Sequence, residues 1–475
     1  MSTIRFGTSG WRAIIAEEFT FDRLSLVVQA IANTLRKKGS LSKGIIVGYD
    51  TRFLSKEFAS EAARVLSVNK IPVFLSQRDV PTPCIAFNIL HRKTVGGINI
   101  SASHNPAEYG GIKFSPSHGG PAGVEVTKEI EEEITKLLSN GKGKIETTRN
   151  GAAILPFDPA PSYLRHLTSI LRVKELQKAK HHYVVDCLNG TSRGYLDLFL
   201  KPYAAKLYLL RTTLDPTFGG RRPDPAGENL SGLMREVKRR KAHLGLATDG
   251  DADRFGIVDR GGIFIPPNDV ISLVLDYLIE TRPRAKYVAR SLATTHRVDL
   301  IARRHGMEVV ETPVGFKYIG EVLSKGDCML GAEESAGLSI QHHLPEKDGI
   351  LATLLVAEMV ARRRKSLREM LKTLNATYGP FYSTRIDLSL TESSKQKLLR
   401  KLEKDPPDRL GNLKVQKCGR MDGFKFYLEK ESWVLLRPSG TEPLIRVYLE
   451  ARSRKNLASL KQATEQLIQK TVHRT

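Results

Sequence analysis

The chain has 475 residues, 41% of them hydrophobic and 26% charged, and 74 Lys and Arg against 51 Asp and Glu leave a net charge of +23. At roughly 100–200 residues per domain this is a multi-domain chain of ordinary globular composition, which excludes a wholly disordered or fibrous protein. The longest apolar runs, such as Val270–Ile279, are short and carry charge (Asp276), far from the roughly 18 residues of a membrane span.

The chain opens with the turn-rich stretch Gly7–Arg12 and no apolar leader. Periodicity predicts a helix over Phe21–Lys37, a strand over Ile45–Tyr49 and a helix near Lys56–Val68. Strands follow at Val73–Leu75 and Gly96–Ile100, and the acidic helix Glu125–Leu138 closes the unit. Strands alternating with helices imply parallel β-α-β units. The Gly- and Asn-bearing stretch Asn140–Gly151 marks a boundary, giving an α/β domain over residues 1–150. The rhythm repeats over 151–258, with strands at His182–Asp186, Lys206–Leu210 and Leu244–Ala247. It repeats again over 259–374, with strands at Tyr287–Ala289, Met307–Glu311 and Cys328–Gly331 and a helix at Thr294–His305. The remainder, 375–475, changes character. Phe381–Leu390, Phe424–Glu429, Trp433–Leu436 and Ile445–Ala451 read as strands, with helices near Glu392–Lys404 and Asn456–Thr471, an α+β layout. Its entry, Ala376–Pro380, reads as a hinge.

The basic runs Lys238–Lys241 and Arg362–Lys365 fall in helical-looking segments without interleaved aromatics. They read as solvated surface, so no nucleic-acid partner is expected. Cys84, Cys187, Cys328 and Cys418 are far apart and form no C-x-x-C pair, which fits a reducing cytoplasm.

In open α/β sheets ligands sit beyond the carboxyl ends of the strands. Each unit has one unusual polar loop there. After Gly96–Ile100 comes Ser101–Pro106, where Ser103 beside His104, with Lys113 ten residues on, forms either an activated nucleophile or a plain turn before proline. After Leu244–Ala247 comes Asp249-Gly250-Asp251-Ala252-Asp253-Arg254, three carboxylates at spacing two. Hard oxygen ligands on one loop suit Mg²⁺, and the carboxylates would repel one another without a cation. The continuation lacks the distal Glu of an EF-hand loop. After Cys328–Leu330 comes Gly331–Gly337, whose Glu333 and Ser335 either accept hydrogen bonds from sugar hydroxyls or cap a helix. In the last unit, Arg437–Pro443 with Arg446 is either a phosphate grip or a connecting turn.

Taken in order, Gly7–Arg12, Ser101–Pro106, Asp249–Arg254, Thr312–Lys317, Glu333–Gly337 and Arg437–Pro443 closely resemble the motifs of the α-D-phosphohexomutase family, the phosphoglucomutase/phosphomannomutase enzymes. The resemblance runs over nearly the whole chain. It implies three similar mixed-sheet α/β domains and a C-terminal α+β domain around a central cleft. It implies Ser103 as phosphoserine, giving its phosphoryl group to a sugar phosphate and regaining one through a sugar 1,6-bisphosphate. It further implies Asp249, Asp251, Asp253 and the Ser103 phosphate as Mg²⁺ ligands, with Arg12 and Arg254 neutralising charge. Lys113 and His104 would move protons, Lys113 foremost. Glu333, Ser335, Lys317 and Lys347 would meet the sugar. Arg437, Ser439, Gly440, Thr441 and Arg446 would hold the phosphate that stays.

Two small departures stand out. Gly110 stands where the family often has Asn, and since both residues tolerate a left-handed backbone little effect is expected. Ser101 replaces a common Thr. The Glu-Glu-Ser reading of the sugar loop, with no following His, is similar to phosphoglucomutases and favours glucose phosphate over mannose, glucosamine or pentose phosphates. A haloacid-dehalogenase-like phosphatase, with Asp249 as nucleophile, is the alternative in another enzyme class. The partner expected is a phosphosugar for a monomer or dimer without membrane attachment.

Overall fold

The computed structural model describes residues 4–7, 10–39, 41–139, 150–439 and 444–472. Residues 140–149 of the expected boundary stretch and two of the phosphate-loop residues, Gly440 and Thr441, lie outside these.

The described strands form three mixed sheets and one antiparallel sheet. The first runs Trp11–Ile14, Tyr109–Pro116, Gly96–Ile100, Ile45–Tyr49, Val73–Ser76, Ile154–Phe157 in spatial order. The second runs Ile263–Ile265, Phe255–Asp259, Leu244–Thr248, His182–Asp186, Lys206–Leu210, and the third Glu308–Thr312, Tyr287–Ser291, Cys328–Glu333, Gly337–Ile340. Ile154–Phe157 thus joins the first sheet past residue 150, and Ile263–Ile265 joins the second past residue 258. The fourth sheet contains Tyr382–Ser389, Leu444–Ala451, Trp433–Pro438, Phe424–Leu428, Leu413–Gly419 and Arg409–Leu410, all antiparallel.

The mixed sheets share one device. The last parallel strand of each turns back into an antiparallel neighbour: Gly96–Ile100 into Tyr109–Pro116, Leu244–Thr248 into Phe255–Asp259, and Cys328–Glu333 into Gly337–Ile340. The three connecting loops are the polar loops picked out above. The strands that carry them are buried along their whole length, which explains their near-continuous small and apolar sequence.

Tyr109–Pro116 has too many glycines to read as a strand. Gly110 and Gly111 are there because a Cβ would strike the Phe19 ring at the first and the Ser101 carbonyl oxygen at the second. Neither has a positive φ, so both glycines serve close packing in an extended strand.

One hydrophobic core runs continuously from the first sheet (Ile46, Val80, Ile85) through the second (Tyr183, Leu246, Phe255) to the helix Gly349–Arg363 (Leu351, Leu355). The fourth sheet keeps its own core around Phe426, Val434 and Leu449. It meets the rest through a small cluster, Leu292 and Ala293 against Trp433, Leu435 and Tyr448. The chain enters this last unit from the helix Leu367–Tyr378 through Gly379, whose φ of 78° suits a residue without a side chain. Among the described residues no helix is long and apolar enough to cross a membrane.

Candidate active site

Ser103 is 2% exposed and has a φ of 53°, the left-handed region. A serine stays there only if its surroundings insist. Here they do. The Arg52 guanidinium donates to the carbonyls of Ser103 (2.7 Å), Asn105 (2.6 Å), Pro106 (2.5 Å) and Tyr109 (3.1 Å), and Nε pairs with Asp50 at 3.1 Å. The Ser101 hydroxyl accepts the Ser103 N–H at 2.9 Å. The result is a serine hydroxyl aimed across a domain boundary, donating to Asp249 Oδ2 at 2.9 Å. His104 Nδ1 lies 3.4 Å from the same oxygen. Burial, with the charges of Arg254 and Arg12, pushes the His104 pKa well down, so the ring is neutral.

The aspartate loop turns on Ala252, also left-handed (φ 58°). It brings Asp249, Asp251 and Asp253 together so that one oxygen of each lies within 4.8 Å of the others, all buried. Two lysines from other domains counter the charge. Lys113 Nζ donates to Asp251 and lies 3.0 Å from Asp253 Oδ2. Lys347 Nζ lies 2.9 Å from Asp253 Oδ2. Burial and mutual repulsion raise the Asp249 carboxyl well above its ordinary range. Asp253 is held below that range despite its burial, because Lys113 and Lys347 face it. Burial works against the Lys113 ammonium, but Asp251 and Asp253 keep its pKa above the usual lysine value. Oδ1 of Asp251 and Oδ1 of Asp253 are buried with no hydrogen-bond partner. Unpartnered hard oxygens converging in one place are what a divalent cation requires, and the donor set fits Mg²⁺.

Arg254 follows the loop, its N–H donating to Asp249 Oδ1 at 3.0 Å and its guanidinium kept charged by Asp224, Asp249 and Asp253 against the cost of burial. Arg12 reaches Asn105 Oδ1 at 2.7 Å. Ser103, His104, Lys113, Arg12, Arg254 and the three aspartates therefore come from two domains into one cluster, with Lys347 from a third.

Glu333 ends its strand, 5% exposed, and accepts the Gly315 N–H at 2.8 Å. Burial, with Glu334 beside it, raises its pKa to about 7. Ser335 and the left-handed Ala336 (φ 68°) complete the turn. Lys317 is half-buried on the helix Phe316–Leu323, and burial lowers its pKa. On the fourth sheet, Arg437 and Arg446 are register partners on adjacent strands, and Ser439 is buried just beyond.

Some residues of the site escaped the sequence reading. Asp50 and Arg52 follow the strand Ile45–Tyr49, the position that flagged the other loops, so a signal existed. Thr82 had none beyond its place at a helix start. Its hydroxyl donates to Asp251 Oδ2 and its N–H to the Asp251 carbonyl at 2.9 Å, while Asn99 Nδ2 donates to Thr82 Oγ1 at 2.8 Å. Asp422 is a third case. Its Oδ2 accepts from Arg437 Nε at 2.7 Å and from the Val314 N–H at 3.1 Å, tying the fourth sheet to the loop that precedes Lys317.

Four family models match the chain in order: phosphoglucomutase/phosphomannomutase alpha/beta/alpha domain I over residues 3–140, domain II over 161–262, domain III over 266–378, and the C-terminal domain over 389–467. A phosphoglucomutase/phosphomannomutase of Thermococcus kodakarensis is 30% identical over 452 residues, covering 94% of each chain. A Thermococcus gammatolerans protein provisionally assigned as a phosphoglucosamine mutase is 30% identical, covering 99% of each. The crystal structure of a Thermus thermophilus protein, provisionally assigned as a phosphomannomutase, is similar with a TM-score of 0.85 at 33% identity, covering 98% of this chain and 99% of that one.

Proposed function

The chain belongs to the phosphoglucomutase/phosphomannomutase family, whose members are isomerases, and we propose that it interconverts glucose 1-phosphate and glucose 6-phosphate. The observation that carries the reading is the Ser103 hydroxyl, 2.9 Å from a buried aspartate in a cluster of three. In this reading Ser103 is carried as a phosphoserine. Its O–P bond breaks as the free hydroxyl of the bound sugar phosphate attacks phosphorus, leaving the Ser103 oxygen and a sugar 1,6-bisphosphate. The bisphosphate turns over within the cleft, and Ser103 Oγ takes the other phosphoryl group. Atoms and charge balance over the cycle, and only the position of the phosphate has changed.

Asp249, Asp251 and Asp253 would hold Mg²⁺ beside Ser103. A divalent cation there supplies positive charge next to the transferring phosphoryl group. The remaining work falls to the chain. Arg12 and Arg254 face the phosphoryl oxygens. Lys113 is a charged ammonium held by Asp251 and Asp253, so it gives a proton to the Ser103 oxygen as the O–P bond breaks and regains one from the attacking sugar hydroxyl. His104, neutral, orients Ser103. Glu333 and Ser335 accept and donate to sugar hydroxyls, with Lys317 and Lys347 beside them. Arg437, Ser439, Gly440, Thr441 and Arg446 hold the phosphate that stays.

The Glu333-Glu334-Ser335 loop supports glucose. Relatives named for mannose and glucosamine phosphates make these the rival substrates. A coupled assay over glucose, mannose, glucosamine and pentose 1-phosphates, primed with the bisphosphate, tests this. A kcat/KM that prefers any of the others overturns the glucose assignment. Mass mapping of the phosphorylated chain tests the chemistry: phosphate on Asp249 as an alkali-labile acyl phosphate overturns the phosphoserine. The four cysteines are free, three of them buried, which supports a reducing cytoplasmic setting.

A further inference from the structure

One cavity among the described residues lies away from the aspartate cluster. It has a volume of about 850 Å³ and lies at the hinge of the C-terminal unit. One wall is Leu371 and Asn375 of the helix before Gly379, the other the strand residues Pro380–Arg385 after it. The cavity touches the sugar loop at Glu334 and Ser335, but Ser103, Asp249, Asp251, Asp253, Lys113 and Arg437 do not line it.

Its lining has a definite chemistry. Phe264, Phe381, Tyr382, Trp433 and Tyr448 supply aromatic surface. Two of the charged groups are internally balanced: Arg297 Nη1 pairs with Asp269 Oδ1 at 2.8 Å, and Arg385 with Asp387 at 2.5 Å. Arg454 and Lys461 at the mouth form no ion pair among the described residues. Arg297 is 2% exposed, stacks on Phe381 at 5.3 Å, and its buried Nε has no acceptor. Asn375 Oδ1 is likewise buried without a donor. A buried guanidinium nitrogen left unpaired is costly. With two uncompensated cations and aromatic walls, it calls for an acceptor-bearing anion with an apolar body.

We propose that the hinge cavity, through Arg297, Arg454 and Lys461, is a binding site for a small anionic metabolite, a phosphate monoester with an apolar or aromatic body, distinct from the phosphosugar cleft. A ligand there bridges both sides of the hinge. It therefore sets the angle of the fourth sheet against the sugar loop and changes the affinity for phosphosugar. The inference stands apart from the identity of the sugar.

Phenyl phosphate is a suitable probe, with phenol and inorganic phosphate as its two halves. Trp433 is one of two tryptophans, so Trp11→Phe leaves it as the fluorescent reporter in the cavity wall. Calorimetry and Trp433 fluorescence should both show saturable binding of phenyl phosphate that persists in excess glucose 1-phosphate, measured on Ser103→Ala to prevent turnover. Arg454→Glu with Lys461→Glu, both at exposed positions, should weaken it about tenfold or more, the equivalent of one good charged hydrogen bond. Ala458→Trp, which fills the mouth without altering charge, should abolish it. Binding unchanged in either variant, or absent in the parent, overturns the site. Competition by glucose 1-phosphate places the probe in the catalytic cleft and overturns its separateness. Equal binding of phenol or of inorganic phosphate alone overturns the ligand class. A KM for glucose 1-phosphate that does not shift with phenyl phosphate in the wild type overturns the coupling.

Discussion

Ser103 and Asp249 are 146 residues apart in the chain, and the hydroxyl of one donates to the carboxylate of the other at 2.9 Å. Two sheets must dock for this contact to exist. If Ser103 is the phosphoryl carrier, Ser103→Ala should lose about a thousandfold or more in kcat, because the variant has no oxygen at that position to carry the phosphoryl group. The Thr82 hydroxyl, also on the cluster, is tied up by Asp251, Lys113 and Asn99 and does not replace it. The thermal midpoint of the variant should stay within a few degrees of wild type. A coupled assay and a melting curve decide this, and near-normal turnover would remove the serine from the mechanism.

Asp251 has one carboxylate oxygen engaged by Lys113 and Thr82 and the other without a hydrogen-bond partner. Asp251→Asn should weaken Mg²⁺ binding by about a hundredfold, since a neutral amide is a far poorer ligand for a hard cation. Direct metal titration by calorimetry measures it without reference to turnover. Full activity of the wild type in excess chelator would contradict the metal assignment.

The grip of Arg52 on four loop carbonyls makes it a structural counterpart to the serine. Arg52→Ala should destabilise the protein by about 2–4 kcal/mol, leaving buried acceptors without donors and Asp50 without its partner. Arg52→Lys should rescue little, because a single ammonium cannot reproduce a planar fork. Denaturant unfolding gives the measurement, and a lysine variant as stable as wild type would refute the geometric argument.

Glu333 carries a pH dependence of its own. Its folded pKa is raised from 4.5 to about 7, so the folded chain binds this proton more tightly than the unfolded chain does. Its contribution to stability is therefore complete below 4.5 and is lost as pH rises through about 7. Function runs the other way. If the ionised carboxylate accepts hydrogen bonds from sugar hydroxyls, KM should fall between about pH 6 and pH 8. Glu333→Gln should raise KM and flatten that slope. A variant with the wild-type profile would assign the titration elsewhere.

Asp422 orients Arg437 and fastens it to the Val314 amide of the third unit. Asp422→Ala should raise KM about tenfold while kcat changes by less than about threefold, because the guanidinium loses its preset direction but not its charge. Steady-state kinetics separate the two constants. A loss confined to kcat would argue against a role in holding the phosphate that stays.

Much of the architecture could be read in advance because each parallel strand is a short apolar run ending in an unusual polar loop. Gly96–Ile100, Leu244–Thr248 and Cys328–Glu333 are all of this kind. Tyr109–Pro116 could not be read, since its two glycines answer to Phe19 and Ser101, and neither is near in sequence. The same limit hid Thr82, Asn99 and Asp422. Each acts through a partner on another element, and no local pattern records who that partner will be. Lys113 and Lys347 illustrate the middle case. Their presence was legible, but their joint hold on Asp253 depends on three units meeting.

The backbone at residue 103 also narrows what the chain can tolerate at its reactive oxygen. A threonine would offer the same hydroxyl with one methyl more, yet a β-branched side chain is a poor tenant of a φ near 53°. The choice between two alcohols of nearly equal reactivity is thus made by torsional sterics before any chemistry begins.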